Sequence, residues 1–285
     1  MTTVGLFVRQ DQLNAPHWWV ARVAPTDNLE AFDDLLRAYQ YSWRQTKDDN
    51  TRERWWDERA IELDPQYGDA YVMLGWTYYF DAYFQWTGDP RTNIKHSIEL
   101  GQKALLLDDS SCGALALLSN DYQYQRRFDQ AVAEGERAVS INPNCSMGYA
   151  FLAVALNAAG KPDEALRTVE KAMRLDPAGH AFYADVVGAA HILMGRYQEA
   201  LPSLQQAVAG SPNALYSHLK LAIVYTELGR DREAHAEAAE VMKISPSYVL
   251  PSLEREPYSA VPFLAGSDLG LQRRYDRDLR RAGLK

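Results

Sequence analysis

Cysteine is scarce in this chain of 285 residues, which contains only Cys112 and Cys145. Two cysteines cannot build the framework of several disulfides that stabilises small secreted domains. Neither cysteine belongs to a CxxC pair of the kind found in zinc sites and thiol oxidoreductases. We therefore expect both to be buried structural thiols in a reduced, cytosolic protein.

Long apolar runs are also missing. No segment approaches the roughly 20 uninterrupted apolar residues that a transmembrane helix needs. The first residues, MTTVGLFVRQDQ, have no basic start, and their apolar run is too short for a secretory signal. The sequence therefore predicts a cytoplasmic protein without a membrane segment.

Catalytic motifs are not found either. The six histidines form no HExxH motif or paired metal spacing, and the chain has no GxSxG, P-loop or dinucleotide-binding glycine motif. Acidic pairs such as Asp33–Asp34 and Asp108–Asp109 fall at predicted helix ends or turns, where carboxylates act as caps. We expect a protein that is not an enzyme and that uses no metal or cofactor.

Excess positive charge is absent as well, since the net charge is −8. An acidic surface repels phosphate backbones, which argues against a nucleic-acid partner. The tail RRYDRDLRRAGLK is the exception, with six basic residues against two aspartates. Its simplest interpretation is the solvated face of a terminal helix, and the alternative is a contact surface for an acidic partner.

A repeat of about 34 residues is the main positive feature. Prolines that end apolar helical stretches recur at Pro143, Pro177, Pro212 and Pro246, which are 34, 35 and 34 residues apart. Asp109 lies 34 residues before Pro143, and Pro65 marks an earlier unit. A fixed period of this length is typical of stacked helix-turn-helix units.

Small residues recur within the second helix of each unit. Two packed helices lie 8–10 Å apart, and alanine at their crossing permits the close approach. Glycine just after the first helix, as in AAGKPDEA, LMGRYQEA and ELGRDREA, suits a left-handed helix end. The alanine pairs are Ala131 and Ala138, Ala165 and Ala172, and Ala200 and Ala207.

These features resemble the tetratricopeptide repeat (TPR) family from about residue 29 to residue 246. Tyr71, Leu74, Gly75 and Tyr78 reproduce the family spacing W-x2-L-G-x2-Y with Tyr in place of Trp. The resemblance implies an all-α, right-handed α-solenoid of about six units. The expected organisation is a non-repeat segment at 1–25, the solenoid at 26–246, and a C-terminal cap at 247–285 that contains a helix from about Leu269 to Ala282.

Two units depart from the pattern. The first has Glu53 where a small residue is expected, followed by Trp55 and Trp56, and is interpreted as an atypical N-terminal cap. The second is ten residues too long. We expect an extended first helix, a TGDP turn and a second helix from about Arg91, with either a purely structural role or a contact with a partner.

A closer resemblance is to a bacterial TPR module found C-terminal to class III adenylate/guanylate cyclase domains and in related regulators. It is carried by TDNLEAFDDLLRA, AYVMLGWTYYFDAYFQWTGDP, LNAAGKPDEALRTVEKAMRLDP and DLRRAGLK. Residues 1–25 are too short to hold the cyclase itself. The chain is then either a stand-alone relative or an excised module.

The TPR resemblance implies that first helices line a concave groove that binds a peptide or protein. The lining is apolar and aromatic rather than cationic, which predicts hydrophobic anchoring and not a carboxylate clamp. For Trp76, Tyr79 and Phe80 the alternative is simple packing against neighbouring helices. The groove residues are Asp69, Val72, Trp76, Tyr79, Phe80, Asn120, Gln123, Tyr124, Met147, Val154, Asn157, Phe182, Asp185, Tyr216, Lys220, Ile223 and Glu227.

The resulting functional hypothesis is a non-catalytic scaffold in signalling or regulation, with a protein or peptide partner and with no nucleic acid or membrane partner. The alternatives are a self-associating array that uses the Trp-rich first unit or the N-terminal segment, and the detached regulatory module of a cyclase-type enzyme. A docking platform for a transcriptional regulator is a further alternative.

Overall fold

A computed structural model describes residues 26–42, 44–177, 179–246, 248–250 and 268–285. Within these ranges the chain forms thirteen α-helices and no strand. The expected N-terminal segment 1–25 and most of the proline-rich part of the cap lie outside the described residues. The helices are α1 (Leu29–Tyr39), α2 (Lys47–Leu63), α3 (Gly68–Phe84), α4 (Pro90–Leu107), α5 (Cys112–Tyr124), α6 (Phe128–Ile141), α7 (Ser146–Ala158), α8 (Pro162–Leu175), α9 (His180–Leu193), α10 (Tyr197–Gly210), α11 (Leu215–Glu227), α12 (Asp231–Ile244) and α13 (Leu269–Arg281).

Helices α1 to α12 form six consecutive pairs, here called units one to six. Each helix packs on the next one along the chain, and the first helices α3, α5, α7, α9 and α11 also pack side by side. Because each unit contacts mainly its neighbours, the units stack into a solenoid with the first helices on one side. The all-α solenoid expected from the sequence is confirmed.

The turn glycines have the backbone geometry that the sequence indicates. Gly160, Gly195 and Gly229 each follow a first helix with φ between +71° and +75°. A side chain at such a φ is strained, so glycine ends these helices at little cost. The second unit follows its expected form, because α3 is 17 residues long and Asp89 caps α4 through a bond to the Thr92 N–H.

Close helix crossings explain the small residues. Ala131 and Ala138 of α6 are fully buried, and Gly135 lies between them. A Cβ atom at Gly135 would lie 3.0 Å from both the Cα and the Cβ of Leu152 in the next unit. Backbone atoms cannot move aside as a flexible side chain can, so this position sets the spacing of units three and four.

Replacing this glycine therefore tests the packing. We expect Gly135→Leu to lower the free energy of unfolding by about 1–3 kcal/mol through overpacking, although leucine favours helix more than glycine does. Glu136→Leu adds the same side chain on the exposed face and serves as the control. Denaturant unfolding followed by circular dichroism measures both, and equal stability of the two variants would contradict the packing argument.

The two cysteines correct a prediction from the sequence. Cys112 and Cys145 are joined in a disulfide, so they are not the free thiols expected above. They lie 33 residues apart, about one repeat, and therefore occupy positions in units three and four that match to within one residue. Stacking of the units brings matching positions together, with a Cα–Cα distance of 6.6 Å that suits a disulfide.

Candidate functional site

The first helices share one side of the solenoid, here called the inner surface, and the predicted groove residues on it divide into two groups by burial. Six are half-buried: Asp69, Val154, Phe182, Asp185, Tyr216 and Glu227. The other eleven are buried: Val72, Trp76, Tyr79, Phe80, Asn120, Gln123, Tyr124, Met147, Asn157, Lys220 and Ile223. The buried group forms the contacts between first helices described next.

A chain of aromatic rings joins the first helices. Trp76 of α3 is only 1% exposed, and its ring centroid lies 4.8 Å from that of Phe151 on α7. Phe151 in turn lies 5.2 Å from Phe182 on α9, and Tyr79 contacts Tyr124 on α5 at 6.1 Å. Such pairs stabilise packing beyond their buried area. Trp76 and Tyr79 thus have the packing role that the sequence left as an alternative, and Phe80 is buried with them.

The extended end of α3 reaches a distant unit. The Tyr216 hydroxyl of α11 donates a hydrogen bond to the Tyr83 carbonyl at 2.7 Å, and the two rings lie 4.1 Å apart. The Tyr124 hydroxyl donates to the neighbouring Ala82 carbonyl. The last carbonyls of a helix have no partner within the helix, and here tyrosines of units three and six supply the donors. The long second unit therefore bridges to unit six across the inner surface.

Comparison with known proteins identifies the repeats. Profiles of the tetratricopeptide repeat family match residues 117–180 and 191–248. These two stretches therefore have the sequence pattern of TPR units. Superkiller complex protein 3 of Homo sapiens is 26% identical over 249 residues, which cover 85% of this chain but 15% of that protein. The chain thus spans a small part of this relative's length.

Two solved structures share the TPR fold. TTC0263, a thermophilic TPR protein of Thermus thermophilus, has a TM-score of 0.53 and 23% identity, covering 75% of this chain and 99% of that one. The human IFIT1 dimer with m7Gppp-AAAA has a TM-score of 0.63 and 16% identity, and the match covers 74% of this chain and 50% of that one. At these identities the likeness concerns the fold alone.

Polar residues of the inner surface form hydrogen bonds between neighbouring first helices. The Asn157 side chain donates to the Val186 carbonyl at 3.1 Å, which ties α7 to α9. Asn120 hydrogen-bonds to Tyr79, whose pKa is raised well above its usual range by burial, so Tyr79 stays neutral. These amides therefore fix the relative positions of neighbouring units.

The Asp185 carboxylate of unit five contacts two side chains of unit six. Ser217 Oγ donates to Asp185 Oδ1 at 2.6 Å, and Lys220 Nζ forms an ion pair with Asp185 Oδ2. The Lys220 side chain is 9% exposed, while that of Asp185 is 19% exposed. The positive charge is thus compensated within the protein, and the Asp185 carboxylate is the more accessible of the two.

The terminal helix α13 covers the last TPR unit. Arg274 forms two hydrogen bonds with the carboxylate of Glu227, and Tyr275 donates to the Ile192 carbonyl at 3.3 Å. The Arg274 guanidinium lowers the pKa of Glu227. Burial, with help from Glu227, raises the pKa of Asp278 to about 7. Glu227 therefore holds α13 in place.

Several important aromatic residues were missed by sequence reasoning. Tyr83, Phe84 and Trp86 lie at the end of α3, and Phe151 joins the ring chain on α7. The positions carried over from the TPR family stop at Phe80, because an ordinary unit ends its first helix near there. A continued helical spacing from Trp76 through Phe80 to Phe84 was the available signal.

Five of the six half-buried groove residues lie on α7, α9 and α11. Val154, Phe182 and Tyr216 are half-buried apolar or aromatic side chains on these successive helices, and Asp185 adds a carboxylate. In the described part of the chain, no group of three or more His, Cys, Asp or Glu residues is placed to hold a metal ion. No described helix is both long and apolar enough to cross a bilayer.

Proposed function

We propose that this protein is a non-catalytic scaffold that binds a protein partner at the inner surface of α7, α9 and α11. The supporting observation is the row of Val154, Phe182 and Tyr216 on successive first helices, half-buried beside the Asp185 carboxylate. Apolar side chains at this spacing can hold an extended or helical segment through a few anchors. Half-buried aromatic residues supply such anchors with little ordering cost.

The fold supports this proposal. TPR proteins generally mediate protein–protein interactions, and the family is typically non-catalytic. Superkiller complex protein 3 is, by its name, a member of a protein complex. A role in signalling, the link to cyclase-type enzymes and the cytoplasmic location remain predictions from the sequence.

An RNA partner is the competing proposal, because the solved IFIT1 structure contains m7Gppp-AAAA. Charge favours a protein instead. The net charge of −8 repels phosphates, and Lys220 on the inner surface is paired with Asp185. A peptide with apolar anchors therefore fits this surface better than a polyanion does.

Self-association through the first unit is a second candidate. Trp55 is 50% exposed and Leu29 is 71% exposed, so both apolar side chains of the first unit are accessible to a second copy of the chain. Size-exclusion chromatography with light scattering separates the candidates. A concentration-independent monomer would exclude self-association, and a dimer lost in Trp55→Ala would establish it.

The binding proposal is tested with a random peptide library displayed on phage and selected on the full chain. We expect selected peptides to bind Phe182→Ala about 30-fold more weakly, since an aromatic anchor contributes on the order of 2 kcal/mol. Leu106→Ala, at an 83% exposed position of α4, is the matched control and should bind as the wild type does. Circular dichroism confirms folding.

Two results would contradict the proposal. One is a selection that yields only peptides whose affinity is unchanged in Phe182→Ala and in Val154→Asp. The other is preferential binding of single-stranded RNA over every selected peptide, with a strong salt dependence. The first result would show that the binding site lies elsewhere on the protein. The second would show that the partner is RNA rather than a peptide.

A further inference from the structure

The disulfide joins two adjacent units at the same edge of the solenoid. Cys112 is the first residue of α5, and Cys145 is the N-cap of α7. Both are 6% exposed. The bond therefore connects the N-terminal ends of two neighbouring first helices, in the middle of the array.

We propose that this disulfide is a reversible redox clip that sets how firmly units three and four are held together and thereby regulates binding at the inner surface. The first part of the proposal, the structural step, is the loosening of units three and four when the bond is reduced. The last step, regulation of binding, rests on the function proposed above.

The positions of the two sulfurs favour reduction of the bond. The N–H groups at a helix N-terminus stabilise a thiolate, and the Gly148 N–H donates to Cys145 Sγ at 3.3 Å. Cys112 lies in the first turn of α5, next to the capping residue Ser111. A stabilised thiolate is a good leaving group, so once the units move apart enough to admit a reductant, this disulfide exchanges more readily than one between ordinary thiols.

The chemistry requires a dithiol reductant. One thiolate of the reductant attacks Cys112 Sγ, which breaks the protein S–S bond, forms a mixed disulfide and releases Cys145 as a thiolate that takes up a proton. The second thiol of the reductant then attacks the mixed disulfide and frees Cys112. Two electrons pass to the protein disulfide, and the reductant leaves as its own disulfide.

The clip lies directly beside inner-surface residues. A Cβ atom at Gly113, which follows Cys112, would lie 3.4 Å from Val72 Cγ1 of α3 and 3.5 Å from Met147 Cε of α7. Helix α7 begins just after Cys145 and carries Val154 of the proposed binding row. Freeing the start of α7 therefore alters the position of one wall of the site.

Hydrogen–deuterium exchange of the oxidised and dithiothreitol-reduced full chain tests the structural step. We expect reduction to speed exchange in α5 and α7 and to lower the melting temperature by about 5–10 °C, because the bond closes a loop of about one repeat. The variant Cys112→Ser with Cys145→Ser should behave as the reduced chain does and be insensitive to dithiothreitol. Serine at 145 keeps an N-cap acceptor for Gly148.

The regulatory step uses a library-selected peptide as the probe. We expect its affinity to fall at least about fivefold on reduction, which is the lower range of allosteric couplings. Unchanged exchange and melting on reduction would overturn the inference, whatever the peptide does. Altered exchange with unchanged peptide affinity would overturn the regulatory step while leaving the proposed binding function intact. Free thiols in the denatured chain isolated without reductant would also overturn it.

Discussion

The substitution Trp76→Ala is expected to lower the free energy of unfolding by about 3–5 kcal/mol. The Trp76 side chain is 1% exposed and contacts Phe151 on α7 and Tyr79 on α3. Truncation would remove a large buried surface and leave a cavity between units two and four, which the surrounding helices can fill only in part. Denaturant unfolding of the full chain measures the loss.

Trp55→Ala provides the matched control, since Trp55 is 50% exposed on α2. Its ring contacts Trp56 and the Arg59 guanidinium, so its removal should cost no more than about 1 kcal/mol. Similar losses in the two variants would show that Trp76 does not occupy the packed position described here. The expected result also means that Trp76 is a poor choice for testing binding, because its loss changes stability first.

A pH-dependent stability is the second large effect, and it arises from Glu53. This carboxyl is 2% exposed on α2, at the position where other units place alanine or serine. Burial raises the pKa of Glu53 from 4.5 to about 8, although Ser42 donates a hydrogen bond to it at 2.6 Å. Arg54 also favours the charged form, while Asp49 opposes it.

The sign follows from proton linkage. The folded chain holds a proton on Glu53 that the unfolded chain releases near pH 4.5, so this contribution to stability is complete below pH 4.5. It declines as the pH rises and is lost above about pH 8. The full difference corresponds to about 5 kcal/mol, since one pKa unit is worth 1.36 kcal/mol. Acidic conditions within this window should stabilise the first unit.

The variant Glu53→Gln isolates the effect. The wild type should lose unfolding free energy relative to the variant as the pH rises from about 5 to about 8.5. Glu58→Gln changes an exposed carboxyl of the same helix and should show no such trend. A difference that stays constant over this range would mean that Glu53 is ionised throughout.

Asp57 is a second buried carboxyl on α2, close to Glu53. It is fully buried one turn after Glu53, and neither of its carboxylate oxygens has a hydrogen-bond partner among the described residues. Burial raises its pKa well above the usual range, with the nearby Glu53 adding to the shift. Two buried acidic groups at this helix crossing thus distinguish the first unit from the small-residue pattern of the other units.

The sequence predicted the repeating helix pairs correctly because their signals are local. The glycine at Gly160 and the small pair Ala131 and Ala138 each act within one unit, and the 34-residue proline spacing gives the length of that unit. The binding surface was harder to predict. Trp76 and Tyr79 were assigned to a groove by family position, yet they pack between first helices, because an aromatic residue at such a position can face either a ligand or a neighbouring helix.

The sequence by itself determined that about six helix pairs form, since helix periodicity and turn geometry depend on residues close in the chain. That the first helices share one side was implied by the TPR resemblance. Only the tertiary structure decided that Cys112 meets Cys145 and that Tyr216 reaches Tyr83, 133 residues away. Small rotations between units add along the stack, so contacts between distant units depend on the summed curvature, which no single repeat encodes.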